Sequence, residues 1–269
     1  MSHLKKYQYK DSLKFNARIY LHYKFGTNKY PWPLWVFDNI KKGENLKVLE
    51  IGCGNGLLWK LNANRIPENW EIVLSDFSEG MLHDAKKVIG NSIHHISYEV
   101  VNIEDIPYED NTYDIIIANH MLYHVPQRRK AISEIHRVLK KNGIFYATTM
   151  RSSYMKEMIE IIKDYKSKPR DGFELNPVIN NFSIENGEEQ LREFFDDVIL
   201  KIYEDSLMIN EAEPFINYVY SCNDMNQERM ILNESERRGF LEFVEDKIRR
   251  NNTIIVPSDF GLFISQDII

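Results

Sequence analysis

The chain predicts an α/β fold built on a doubly wound parallel sheet, and three observations carry that expectation. Between residues 46 and 150, short apolar runs alternate with helical patterns, the order that lays parallel strands side by side with helices on the sheet faces. Two of the runs, 48–50 and 72–76, end in the acids Glu50 and Asp76. After the first comes a turn with glycine at every second position, Gly52, Gly54 and Gly56. There the backbone can bend sharply, and a ligand can approach the main chain without meeting a Cβ. Right-handed crossovers between the strands then make the sheet doubly wound.

Taken in order, residues 13–23 read as a helix with an aromatic and aliphatic face, Tyr30-Pro31-Trp32-Pro33 breaks it, and 34–40 reads as a short second helix. Strands are expected at 47–51, 71–75, 96–101, 113–118 and 144–149, with helices near 57–62, 79–88 and 127–140. Ser78 stands at an N-cap position. The third helix places Ala131, Ile132, Ile135, Val138 and Leu139 on one face and stops at Lys140-Lys141-Asn142-Gly143. Beyond 150, Met155, Met158, Ile159 and Ile162 mark an amphipathic helix, and 169–177 is a polar linker. Further helices are expected near 212–222 and 235–250, the latter with Phe240, Leu241, Val244 and Ile248 inward. Strands are expected at 197–203 and 261–266, and 253–256 is expected to form a hairpin with the final strand across Pro257-Ser258-Asp259-Phe260.

A strand, a glycine turn and a helix N-terminus together suit a polar nucleoside ligand. The spacing disfavours a dinucleotide or a phosphate loop, because G-x-G-x-x-G is absent and no lysine is placed to meet a phosphate. Glu50 to Gly56 resembles the first motif of the class I S-adenosylmethionine-dependent methyltransferases. Asp76 at the second strand's tip is positioned to accept from both ribose hydroxyls, and 76–82 resembles the family's continuation of that motif. The turn Asn102-Ile103 resembles the adenine-contacting turn, though the family usually has Asp-Ala there; an Asn carbonyl can still accept from the adenine amino group. Residues 113–125 resemble the fourth strand and the segment after it. The likeness is closest to the small-molecule branch called type 11 or UbiE-like.

The resemblance implies a Rossmann-like seven-stranded sheet with an antiparallel last strand. Residues 1–45 would be a helical cap, 46–150 the core that binds S-adenosylmethionine and leaves S-adenosylhomocysteine, and 151–269 accessory helices and last strands that shape the acceptor pocket. The cofactor-binding residues it implies are Glu50, Gly52, Cys53, Gly54, Asn55, Gly56, Asp76, Phe77, Met81, Asn102, Ile103 and Asn119.

Methyl transfer needs orientation more than protein chemistry, so the acceptor is the open matter. His120 lies at the carboxyl end of a strand, where substrates bind in such sheets. It is the candidate general base, expected to titrate near the ordinary ~6.5 of imidazole. Tyr20, Tyr30, Trp32 and His124 are candidate substrate contacts, and His124 is also expected to bond backbone in its loop. His120 and His124 would share a helix face, but with no intervening Glu and no third ligand no metal is expected. His94 and His95 are expected at a solvated strand edge, and Met150 and Arg151 either line the cleft or lie on an exposed loop.

The 269 residues are 43% hydrophobic and 28% charged, enough for one α/β core with an accessory lobe. A net charge of −6 disfavours nucleic acid as partner. The seven Lys and Arg among residues 1–30 read as a solvated helix face. Cys53 and Cys222 make no disulfide framework. No run is long enough to span a membrane, and the N-terminus has no signal-peptide core, so a soluble, cytoplasmic protein is expected. The sequence leaves the oligomeric state open. The expected function is methyl transfer to a small molecule. The alternatives are a non-catalytic regulatory protein that binds the cofactor, or a nucleic-acid or protein methyltransferase, against which stands the lack of an N/D-P-P-Y sequence after the fourth strand.

Overall fold

The computed structural model describes residues 12–93, 95–166, 178–223 and 231–268; the linker expected at 169–177 lies outside them. Five parallel strands form the centre: β1 (Lys47–Ile51), β2 (Glu71–Asp76), β3 (Ile96–Val100), β4 (Tyr113–Asn119) and β5 (Leu139–Met150). With β6 (Asp197–Tyr203) and the antiparallel β9 (Phe260–Gln266) they make a seven-stranded sheet in the order β3-β2-β1-β4-β5-β9-β6. Val48, Leu49 and Ile51 of β1 and Ile115, Ile116 and Ile117 of β4 are all buried, as parallel strands covered on both faces must be. The strand order turns back between β1 and β4, so the crevice for a ligand opens past their carboxyl ends.

Helices α3 (Leu57–Asn62), α4 (Glu79–Ile89) and α5 (Arg128–Val138) link these strands. Ser78 caps α4 as expected, its Oγ accepting from the Met81 amide at 3.4 Å. Helix α5 ends at Val138, earlier than its pattern suggested, and β5 begins at once. Residues 140–143 belong to an irregular entry, where pairing with β4 jumps from Tyr113–Leu139 to Ile115–Ile144. Lys140 is held there by Asp114 at 2.7 Å.

The remaining elements are α1 (Leu13–Phe25), α2 (Trp32–Asn39), α6 (Lys156–Lys166), the short α7 (Gly187–Leu191), α8 (Ala212–Ser221) and α9 (Arg237–Asn251), with a separate pair of strands, β7 (Ser206–Ile209) and β8 (Ile254–Pro257). The pair corrects the expected hairpin: 254–257 lies antiparallel to β7 and not to β9. The corner after it is tied elsewhere, Ser258 N–H to the Asp205 carbonyl at 3.0 Å and Asp259 to Arg151 at 2.8 Å. That leaves the corner no freedom to fold β8 back along β9. Ile254 and Val256 instead face a second core with Leu207, Ile209, Phe215, Phe240 and Val244, into which α1 sends Leu21 and Phe25. The N-terminal helix and the accessory helices therefore share one apolar interior. No helix among the described residues is long and apolar enough to cross a membrane.

Candidate functional site

The glycine turn starts where β1 ends. The N–H groups of Gly52 and Cys53 both donate to the Ser75 carbonyl of β2, at 2.8 and 2.9 Å, so the turn is stitched to the neighbouring strand. All three glycines have positive φ. A Cβ on Gly54 would meet only side chains, Phe15 at 3.4 Å and Met81 at 3.6 Å. Gly56 serves packing instead, because a Cβ there would stand 2.8 Å from Ile89 and 3.3 Å from Ala85 of α4.

A cavity of about 490 Å³ opens on this turn. It is lined at one end by Glu50, Gly52, Cys53, Gly54, Asn55, Asp76, Phe77, Met81, Ile103 and Asn119, ten of the twelve expected cofactor residues. Gly56 is turned toward α4, and Asn102 is not on the wall. Asn102 Oδ1 accepts from the Glu104 amide at 3.1 Å in a local turn. Val101 and Ile103 face the cavity at that turn.

Asp76 holds the loop from the other side. Its Oδ2 accepts from Gly54 N–H at 3.1 Å and its Oδ1 from Ser78 N–H at 2.8 Å. Glu50 is fully buried. It accepts from Trp59 Nε1 at 2.5 Å and from Asn119 Nδ2 at 2.6 Å. Burial raises its pKa to about 7, against the pull of those two donors and with some help from Asp76. Asn119 in turn accepts from Thr148 Oγ1 at 3.2 Å. Burial also pushes the Cys53 thiol well up.

The other end of the cavity lies under α1 and α8. Residues Phe15, Arg18, Ile19 and His22 of α1 line it, a spacing of three, four and seven that sets them on one helical face. Tyr20 lies off that face, 48% exposed, and does not reach the cavity. Tyr30 does not line it either; its hydroxyl bonds the Asp38 carboxylate outside, while its carbonyl accepts from Tyr203 Oη at 2.6 Å. Trp32 and His124 do line it. The cap is fastened to the core through Asn55 Nδ2, which donates to Asn16 Oδ1 at 2.9 Å, and through Ser12 N–H, which donates to Asp84 at 2.9 Å.

His120 stands on the cavity wall in a left-handed backbone conformation, its N–H bonded to Thr148 Oγ1 at 2.9 Å. Its ring packs on Trp32 and Phe260, with centroids 5.4 and 5.0 Å away. Burial, and then the neighbouring His22, lowers its pKa to about 3, so the expected titration near ~6.5 does not occur. His124 is lowered to about 3 as well, by burial and then by Arg18. The two do not share a helix face, because the chain between them makes a single 3-10 turn at Leu122–His124. Among the described residues no cluster of three His, Cys, Asp or Glu side chains could hold a metal ion. His95 is exposed just ahead of β3, Met150 lines the cavity, and Arg151 is paired with Asp259.

Sequence reasoning missed His22, Tyr154, Tyr203, Asp205, Tyr218 and Phe260, all on the wall. The face of α1 could have yielded His22. The others come from elements far apart in the chain, and no local signal marks them.

Residues 49–147 match the family described as "Methyltransferase domain", type 11. The ubiquinone/menaquinone biosynthesis C-methyltransferase UbiE of Rickettsia prowazekii is 32% identical over 139 residues, covering 49% of this chain and 54% of that protein. The UbiE relatives are matched over about two fifths to just over half of their own length. Haemonchus contortus phosphoethanolamine N-methyltransferase 2, solved with phosphomonomethylethanolamine and S-adenosylhomocysteine, shares the fold with a TM-score of 0.58 at 16% identity, over 98% of this chain and 59% of that one. A Bacillus halodurans protein assigned as a methyltransferase shares it with a TM-score of 0.59 at 15% identity, over 88% of this chain and 99% of that one.

Proposed function

We propose that this chain, whose residues 49–147 are a class I methyltransferase domain of the type 11 kind, transfers a methyl group from S-adenosylmethionine to a small-molecule acceptor. One observation carries the reading: a single cavity runs from the glycine turn and Asp76 to an aromatic chamber under α1 and α8. Relatives named for C-methylation in ubiquinone and menaquinone biosynthesis support a small-molecule acceptor.

The residues at the turn fit the cofactor. Asp76, at the tip of β2 and on the cavity wall, is held by the Gly54 and Ser78 amides, and an acid at a second strand's tip suits ribose hydroxyls. Phe77, Met81, Val101 and Ile103 offer an apolar slot for a flat base. The buried Glu50 carboxylate, held by Trp59 and Asn119, attracts a positively charged ligand group. The backbone of Gly52 to Asn55 supplies the close approach.

When bound, the cofactor supplies an electrophilic methyl group on a sulfonium. The chain supplies orientation, which alone can account for ~7–11 kcal/mol of a barrier. It also excludes water, since Phe15 of α1 sits against the glycine turn and Asn16 ties the helix to Asn55. His120, neutral throughout the physiological range, serves here as a wall and hydrogen-bonding group and not as a titrating base. On this reading 1–45 caps the site, 151–269 shapes the acceptor chamber, and the protein works in the cytoplasm, which fractionation of cells carrying a tagged copy checks.

Titration calorimetry with S-adenosylmethionine, S-adenosylhomocysteine and NAD tests the assignment. The first two are expected to bind and NAD is not; tighter binding of NAD overturns it. Efficient methylation of bulk RNA or intact protein, with none of a broad metabolite panel, overturns the small-molecule part.

A further inference from the structure

The acceptor end of the cavity holds a set of buried polar groups that cofactor binding does not use. His22 Nε2 lies 2.6 Å from Tyr154 Oη, and Tyr218 Oη lies 3.5 Å from that same hydroxyl. All three residues line the cavity. A buried hydroxyl proton needs an acceptor, and Tyr218 is too distant to be a good one. Tyr154 therefore donates to His22 Nε2, which makes His22 the neutral tautomer with its proton on Nδ1. That Nδ1 has no hydrogen-bond partner among the described residues.

We propose that Tyr154 and His22 form a proton relay for an acceptor that loses a proton when methylated, a hydroxyl or an enol. The inference rests on the methyl-transfer reading. The acceptor O–H donates to Tyr154 Oη. As its oxygen, or the enol carbon, bonds the methyl group, the carbon–sulfur electron pair stays on sulfur. The acceptor proton passes to Tyr154 Oη while the Tyr154 proton passes to His22 Nε2, leaving an imidazolium that later loses its proton to water. Charge balances, because the positive charge of the donor ends on His22.

The surroundings favour His22 over His120 for this task. Burial lowers the His22 pKa to about 4, so the ring is neutral at pH 7 and Nε2 can accept from Tyr154, while Asp205 favours the charged form. Asp205 is itself anchored, accepting from the Asn28 and Ser206 amides at 2.9 Å each. The groups that bear on His22 are thus Tyr154, Asp205 and the neutral His120. Among the described residues His120 instead packs on Trp32 and Phe260 and faces the unfavourable charge His22 would carry.

Long-range ¹H–¹⁵N spectra of the full chain with S-adenosylhomocysteine bound test the relay without an acceptor. His22 is expected neutral at pH 7 and protonated on Nδ1, and Tyr154→Phe should release that tautomer preference. An Nε2-protonated or charged His22 in the wild type overturns the proposal while leaving the proposed function standing. Failure of S-adenosylhomocysteine to bind removes the proposed function instead. Turnover is read with catechol and hydroquinone as proton-losing probes and nicotinamide as a probe whose ring nitrogen has no proton to lose. His22→Gln and Tyr154→Phe should each lower kcat on a hydroxyl probe by about 10²–10⁴-fold, the range of general base catalysis, with S-adenosylhomocysteine affinity held. Methylation of nicotinamide alone, or unchanged kcat in folded variants, overturns the relay.

Discussion

Glu50 makes the stability of this protein depend on pH in a direction opposite to that of an ordinary surface carboxylate. Its carboxyl group is buried at the end of β1, and its pKa rises from 4.5 to about 7. Below pH 4.5 the group is protonated in both the folded and the unfolded chain. Between 4.5 and 7 the folded chain retains a proton that the unfolded chain has released, so stability falls as pH rises across that window. Above 7 both forms are ionised and the whole penalty is present. At ~1.4 kcal/mol per pH unit the penalty is about 3 kcal/mol, or roughly 6–12 °C in Tm for a domain of this size. Glu50→Gln should remove it. The substitution also disturbs the bonds from Trp59 and Asn119, at a cost of about 1–3 kcal/mol, but that cost does not vary with pH. The quantity to follow is therefore the change with pH in the difference between wild type and variant. Urea unfolding at intervals from pH 4.5 to 8 measures it. The variant should gain about 3 kcal/mol relative to wild type over that range, and curves that stay parallel refute the reasoning.

On the proposed function, binding of the cationic cofactor should lower the Glu50 pKa. S-adenosylmethionine binding at pH 6 should then release close to one proton, read from the buffer dependence of the calorimetric enthalpy, and Glu50→Gln should abolish the release. Asp76→Ala should weaken S-adenosylhomocysteine binding by about 1–3 kcal/mol, roughly 5- to 150-fold in Kd, measured below the variant's melting temperature because Asp76 also braces Gly54 and Ser78. Gly56→Ala should destabilise the fold by at least about 2 kcal/mol, from its left-handed backbone and the clash with Ile89, as chemical denaturation would show. Phe15→Ala should weaken cofactor binding with little loss of stability, a cleaner test of the cap than deleting residues 1–33, which would strip Leu21 and Phe25 from the second core. The pH–rate profile should show no limb between pH 6 and 7 from His120, whose pKa is about 3; a limb there that vanishes in His120→Ala contradicts this.

The parallel core was legible from local pattern because its signals are local. Apolar runs mark strands buried on both faces, and the acids and glycines at their ends mark where a ligand meets the backbone. Ten of the twelve residues that the family resemblance implied line the cavity, since a strand's end fixes where its next few residues point. The two exceptions show the limit. Gly56 answers to Ile89 of α4, and Asn102 turns to the Glu104 amide; neither partner is visible in a motif. The acceptor end was hidden for a stronger reason. His22, Tyr154, Tyr203, Tyr218 and Phe260 come from α1, the segment before α6, β6, α8 and β9. Tyr203 and Phe260 face each other across the β6–β9 pairing, and the second core draws the first helix and the late helices onto them. The sequence offered Tyr20 as a substrate contact within a cap over 1–45, but the register of α1 decided that His22 faces inward while Tyr20 faces water. Likewise His120 carries an ordinary imidazole in the sequence, and only burial among Trp32, Phe260 and His22 keeps it neutral. Strand-end chemistry is set by neighbours a few residues away, whereas burial and side-chain partners are set by the whole chain, and these govern the acceptor chamber.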